Sequence, residues 1–441
     1  MRDYLTILGA GLAGSEAAWQ AAERGVSVVL YEMRPVKPTP AHKTDHCAEL
    51  VCSNSLGNNQ SPSAPHLLKE ELRKFNSLVI DAGDTHAVPA GAALAVDREL
   101  FSKKITEQLL KHPNITLIRE EVTEIPSEGP VIVATGPLTS PRLSESISRL
   151  IGQEYLYFYD AISPIVDANT INYDKTFFAS RYDKGTDDYL NCPLNEGQYY
   201  SLVNELKNGE KVPFKSFEKP IYFEGCMPVE ELAMRGDKTL AFGPLKPVGL
   251  LHPETKEQFY AVVQLRHENK EGTAFNLVGF QTKLTYPEQK RVIRLIPGLE
   301  NAEFFRFGAI HRNTYINAPD VLSCELDLKK NSGIYFAGQI IGVEGYVESV
   351  SMGLLAALSA VKRIKGEVYS TPPVDTALGS LLKYVTENRR QSFQPMNINY
   401  GLFQVHEMKI RNKRERNKKI ELKALDSLSQ WMETINGELV K

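Results

Sequence analysis

A Rossmann-like α/β fold, made discontinuous by an inserted mixed α+β domain, is predicted by three observations. A short apolar strand over residues 5–8 runs directly into Gly9-Ala10-Gly11-Leu12-Ala13-Gly14 and a helix pattern over 15–24. Two later strands also end in small residues: Val131–Val133 before Ala134-Thr135-Gly136, and 333–336 before Ala337-Gly338-Gln339. Between roughly 155 and 305 the pattern changes to short aromatic and β-branched runs broken by Gly and Pro, as at 221–226 and 258–266. The chain therefore divides into 1–155, the first part of a nucleotide-binding domain; 156–305, an inserted substrate domain; and 306–441, the second part, ending in a basic helix.

Each element has a local reason. The run 26–32 is β-branched and apolar apart from Ser27 until its final acid, Glu32, which stands 18 positions beyond Gly14. Strand, glycine turn, helix, strand and acid together make a dinucleotide fingerprint. Its glycines permit a tight turn and close backbone approach, the helix N-terminus faces a pyrophosphate, and the acid accepts from a ribose hydroxyl. Gly9, Ala10, Gly11, Leu12, Ala13, Gly14 and Glu32 are thus candidate nucleotide-binding residues, as is Gly136; the alternative is a bare glycine turn with Glu32 simply exposed. Residues 35–65 lose periodicity and are rich in Pro, His, Asn and Ser, as functional or disordered loops are. Helical patterns follow at 66–76 and 97–111, with a strand near Ile115–Arg119. After the strand ending at Gly338 come Gly342, Gly345 and a helix from Tyr346 to Ile364, a second helix N-terminus suited to electron-rich ligand atoms.

Composition narrows the class. With 441 residues, 42% hydrophobic and 24% charged, the chain is an ordinary globular one, and disordered, collagenous and coiled-coil classes are excluded. Its net charge of −3 means that a polyanion must be met by a local basic patch. Residues 409–423 supply one: eight basic residues, Lys409, Arg411, Lys413 and Arg414 among them, against two acids. Such a helix can track phosphates or be a solvated surface. Five cysteines, an odd number without a tight framework, fit a reducing cytoplasm. The start of the chain lacks a signal-peptide pattern, and no run approaches the ~18 apolar residues of a membrane span. His42, His46, Cys47 and Cys52 match no common zinc spacing, so no metal is expected.

The early glycine motif with its Glu, the mid-chain Ala-Thr-Gly and the late Ala-Gly are shared by two-dinucleotide-fold flavoproteins, which the chain resembles; FAD is the cofactor this implies. Gln339 stands where that superfamily usually has an acid for the ribitol, and its amide still hydrogen-bonds. More narrowly, nearly the whole chain resembles the folate- and FAD-dependent tRNA (uracil-5-)-methyltransferases, relatives of the glucose-inhibited division protein flavoproteins. The resemblance is carried, in order, by 9–14, 49–56, Val88-Pro89-Ala90-Gly91, Ala95-Val96-Asp97-Arg98, 223–230, 242–250, 337–349 and 396–403. Gly57 departs from it, replacing an Arg usual after Ser-Asn-Ser-Leu.

The resemblance implies formation of 5-methyluridine at the T-loop uridine of tRNA. 5,10-Methylenetetrahydrofolate is the carbon donor, and FAD reduced by NADH or NADPH is the hydride source. It also implies Cys226 as the nucleophile adding to uracil C6 and Cys52 as a second thiol near the flavin. His311 offers a flat face for a pterin, or is a packed histidine; Arg312 suits the folate glutamate or a phosphate, or is solvated. Open alternatives are the same chemistry on a ribosomal RNA uridine, a small-molecule flavin oxidoreductase, and a non-catalytic flavin-bearing RNA-binding protein.

Overall fold

In the computed structural model, β1 (Tyr4–Leu8), α1 (Leu12–Glu23) and β2 (Ser27–Glu32) form the leading unit. The structure describes residues 4–39, 41–127, 129–183, 186–213, 222, 225, 227–387, 393–404 and 410–436. α1 begins at Leu12 and not at residue 15, because Gly11 is already its N-cap, with no side chain bonded to the helix end. A six-stranded sheet runs in the order Asp327–Leu328, Asn331–Phe336, Val131–Val133, β1, β2, Ile115–Arg119. Every pairing is parallel except that of the edge strand Asp327–Leu328 with its neighbour Asn331–Phe336. Val131–Val133 is fully buried and β1 nearly so, the continuous apolar reading expected where both faces of a parallel sheet are covered.

The helix Tyr346–Ile364 follows strand Asn331–Phe336 and packs against α1. Their backbones approach so closely that a Cβ at Gly353 would overlap the Ala13 carbonyl. Both helices leave the same, carboxyl edge of the parallel sheet, so both N-termini point at one cleft, where ligands of open α/β sheets bind.

A second core lies between Val166 and Ala302. Its antiparallel sheet runs Phe177–Phe178, Tyr189–Leu194, Ala261–His267, Ala274–Leu277, Ile165–Asp167, Phe304–Arg306. Helix Glu196–Asn208, opened by an Asn195/Gln198 capping box, buries Tyr199, Leu202, Val203 and Leu206 in this core at helical spacing. A ribbon of Leu156–Ala161 paired with Ile310–Tyr315 stands at the passage between the two sheets. Of the strand expected over 221–226, only Tyr222 and Gly225 are among the described residues; Cys226 and Lys409 lie outside them.

Candidate active site

The cleft at the carboxyl edge of the parallel sheet is lined by Gly9, Gly11, Leu12, Ala13, Glu32, Gly136, Gly338 and Gln339, among others. Its floor leaves no room for side chains. Gly9 has φ +94°, and a Cβ there would sit 2.8 Å from the Ala134 carbonyl oxygen; a Cβ on Gly14 would overlap the Gly9 carbonyl. Gly11, in contrast, faces open space, with no atom within 4 Å of its virtual Cβ. Tight glycines below, an open one at the lip and an uncapped helix end form a cradle that fits a dinucleotide pyrophosphate. Ala10 and Gly14 act through the turn: the Ala10 N–H donates to Glu32 Oε2 (3.1 Å), fixing the acid at the end of β2. Arg34 donates its backbone N–H (3.0 Å) and Nε (2.9 Å) to Glu32 Oε1. Burial alone would raise the Glu32 carboxyl, but the Arg34 guanidinium and these N–H bonds hold it below the usual carboxylate range. A carboxylate accepts about four hydrogen bonds, so a place remains for a ribose hydroxyl. Gln339, which lines the cleft, donates its Nε2 to Glu344 Oε2 (2.9 Å).

A second pocket opens beside the first and shares Val51, Pro137, Leu138, Gln339 and Tyr346 with it. Cys52, Gly225, His311, Asn313 and Glu344 line it. The segment carrying Cys52 has no regular structure, yet it is held on both sides. The Cys52 N–H donates to the Tyr346 hydroxyl (2.8 Å), Arg306 Nη2 to the Val51 carbonyl (2.7 Å), and Arg98 Nη1 to the Leu50 carbonyl. Arg98 also pairs with Glu268 (3.0 Å), and buried Asn54 donates to the Val96 (3.0 Å) and His267 (2.9 Å) carbonyls. The helix Tyr346–Ile364 and the antiparallel sheet thus both hold the backbone that carries this thiol. Lys69 donates to the carbonyls of Leu56 (3.0 Å) and Pro65 (2.9 Å), which line the same pocket, and of Asn58 (2.8 Å), while burial pushes its ammonium down to about 8.

The pocket favours uncharged acids and a neutral imidazole. Burial, with Asp160 and Glu348 nearby, pushes the Glu344 carboxyl well above its ordinary value. Burial, then the Arg306 charge, pushes His311 down. His311 and Asn313 alternate along Ile310–Tyr315 and both face the pocket; Arg312 between them is exposed on the other side, 4.2 Å above the Tyr157 ring. The structure thus brings Cys52 and His311 together and leaves Arg312 apart. Arg411, Lys413 and Arg414 are exposed around the start of helix Lys413–Asn436, away from the pocket lining.

Arg98, Arg306, Tyr346 and Glu344 were not singled out from sequence. Arg98, Tyr346 and Glu344 fall inside motif segments, which was the available signal; Arg306 carried none.

Residues 4–368 match the family Glucose inhibited division protein A. Over 429 residues the chain is 57% identical to methylenetetrahydrofolate–tRNA-(uracil-5-)-methyltransferase TrmFO of Natranaerobius thermophilus, covering 97% of this chain and 99% of that one. The protein of the same name from Bacillus subtilis is 53% identical over 431 residues, 98% of this chain and 99% of that one. GidA of Aquifex aeolicus, in its form I crystal, superposes with a TM-score of 0.72 at 17% identity, covering 98% of this chain and 76% of that one, a likeness of fold.

Proposed function

Because the chain belongs to the methylenetetrahydrofolate–tRNA-(uracil-5-)-methyltransferase family, we propose that it methylates C5 of the T-loop uridine of tRNA, with Cys226 as nucleophile. The protein is a folate-dependent, FAD-containing tRNA uracil-5-methyltransferase. The observation that carries the finer reading is that Cys52 and Gly225, the residue before Cys226, line one pocket continuous with the dinucleotide cleft.

C5 of uracil is a weak nucleophile. A Cys226 thiolate adding to C6 places the electron pair at C5 and O4; C5 then attacks the one-carbon unit, and the bond from that carbon to the folate nitrogen breaks to release tetrahydrofolate. Loss of the C5 proton and departure of the thiolate restore the ring double bond. Cys52, held by Tyr346, Arg98 and Arg306 beside the cleft, is the base for that proton. Methylenetetrahydrofolate carries carbon at the formaldehyde level; bound FAD, reduced by NADH or NADPH, supplies the two electrons that make it a methyl group. Gly9, Gly11, the α1 N-terminus, Glu32, Gly136, Gly338 and Gln339 hold the FAD. His311, neutral and planar at the pocket wall, stacks on the pterin. Arg312 and the basic segment with Lys409, Arg411, Lys413 and Arg414 contact RNA phosphates. The chain works in the cytoplasm, in line with five cysteines that form no tight framework; among the described residues no helix is long and apolar enough to cross a membrane.

The test is incubation with NADH, methylenetetrahydrofolate carrying labelled carbon, and unmodified tRNA and ribosomal RNA transcripts. Label in tRNA is expected; label only in ribosomal RNA reassigns the substrate, and label in neither ends the methyltransferase reading. Cys226→Ala is expected to abolish transfer in a protein that stays folded and yellow.

A further inference from the structure

The helix Lys413–Asn436 is fastened to the body by a stripe of Asn417, Ile420, Glu421, Ala424 and Leu428, all buried at helical spacing. Glu421 is paired, accepting from Ser61 Oγ (2.9 Å) and meeting His66 Nε2 (3.3 Å). Asn417 is not. It is 7% exposed, and its Oδ1 is buried without a hydrogen-bond partner among the described residues. Buried side-chain amides are rarely left this way unless something absent from the chain completes them.

What Asn417 faces is a groove of about 850 Å3 between the first turns of this helix and the segments 62–65 and 398–403. That volume lies within the ~300–1,000 Å3 range of sites that hold compact organic ligands. Lys413 and Arg416 stand on its rim, and Tyr400 and Phe403 line it as a tilted ring pair 5.3 Å apart. The Tyr400 hydroxyl is a second buried polar atom without a hydrogen-bond partner among the described residues. The groove shares Pro65 with the Cys52 pocket, so the two are neighbours across one wall.

Cations on the rim, aromatic rings on the side and an amide at the bottom match the parts of a nucleotide: phosphate, base face and base edge. We propose that this groove holds one unstacked nucleotide of the RNA substrate, its base edge read by Asn417 and Tyr400 and its phosphate held by Lys413 and Arg416. The site lies outside the reacting-uridine pocket and captures a second nucleotide of the same RNA, which makes the Asn417 groove a determinant of which RNA is accepted. The inference rests on the tRNA reading above.

The experiment measures binding of an unmodified tRNA transcript and of an unrelated hairpin RNA to the FAD-loaded enzyme across a salt series. Asn417→Ala is expected to weaken tRNA binding at least 5-fold and hairpin binding little. Lys413→Ala with Arg416→Ala is expected to weaken both RNAs and to lower the slope of log K against log salt by between one and two, as loss of two phosphate contacts requires. FAD content and the unfolding midpoint of each variant check that the fold is kept. As a measurement needing no variant, hydrogen exchange of the wild-type enzyme is expected to show protection at 398–403 and 413–420 when tRNA is added. Wild-type affinity and an unchanged salt slope in the variants, or no protection in those segments, overturns the proposal. A wild-type enzyme that labels neither RNA overturns the functional reading instead, and is scored separately.

Discussion

The backbone amide of Cys52 donates to the hydroxyl of Tyr346 across 2.8 Å, joining a loop near the start of the chain to the first turn of a helix 294 residues later. Tyr346 lines both the dinucleotide cleft and the pocket that holds the thiol. The cofactor's helix and the chemistry's loop therefore share one bond.

Replacing that acceptor isolates its contribution. Tyr346→Phe keeps the ring and leaves the partly buried Cys52 N–H without a partner, a loss of about 1–3 kcal/mol. FAD content is expected to stay near wild type, while methyl transfer falls about 10-fold, because a loosened thiol no longer sits at its reacting distance. Single-turnover transfer of labelled carbon to tRNA checks this. An undiminished rate means that the bond does not position Cys52.

Arg98 grips the same loop from the other side. It donates Nη1 to the Leu50 carbonyl while Nε and Nη2 engage Glu268 at 3.0–3.2 Å. One ammonium cannot make both sets of bonds, so Arg98→Lys retains charge but releases either the loop or the acid. A stability loss of about 1–2 kcal/mol and transfer reduced about 10-fold are expected, read from urea unfolding and the same assay.

The contrast between those two residues and the glycine turn shows what a sequence displays. Gly9, Gly11, Gly14 and Glu32 were legible because their requirement is local: a backbone turn, a helix end and a strand end at fixed spacing. The helix Tyr346–Ile364 was legible for the same reason, with glycines before it and a long apolar face. Residues 35–65 read as an aperiodic loop, and near Cys52 they are one; their order comes from bonds to Val96, Arg98, His267, Arg306 and Tyr346, partners 42 to 294 positions away. Periodicity cannot register bonds of that kind. Helix Glu196–Asn208 was hidden differently: it lies inside the stretch 155–305, which read as short aromatic and β-branched runs, while its capping box and apolar spacing set it as a helix.

Two glycines of the turn should behave oppositely. Gly14→Ala puts a methyl into the Gly9 carbonyl and is expected to cost about 1–3 kcal/mol in the apoprotein and to strip the FAD. Gly11 has φ −70°, open to any residue, and free space beyond its virtual Cβ. Gly11→Ala is therefore expected to leave apoprotein stability within about 0.5 kcal/mol of wild type while weakening FAD retention, since its methyl occupies cofactor space. Apoprotein unfolding and flavin titration separate the two. Normal FAD affinity in Gly11→Ala would place the pyrophosphate elsewhere.

Glu71 gives stability a pH signature far from the chemistry. Its carboxylate oxygens accept from the Ala377 N–H (2.6 Å) and the Leu378 N–H (2.8 Å), capping helix Ala377–Glu387, yet burial pushes the group up to about 8. In the unfolded chain a glutamate titrates near ~4.3. Between those values the folded state binds the extra proton, so its stability must fall as pH rises from about 5 to about 8, by at most about 1.4 kcal/mol per pH unit from this group. Below about pH 3 both states are protonated and the slope vanishes. Glu71→Gln removes the titration and one acceptor. It is expected to be less stable than wild type at pH 6 and to lose less between pH 6 and 8. Urea unfolding of both proteins at the two pH values decides it: parallel losses would mean that Glu71 stays ionised in the fold, its two N–H donors outweighing burial.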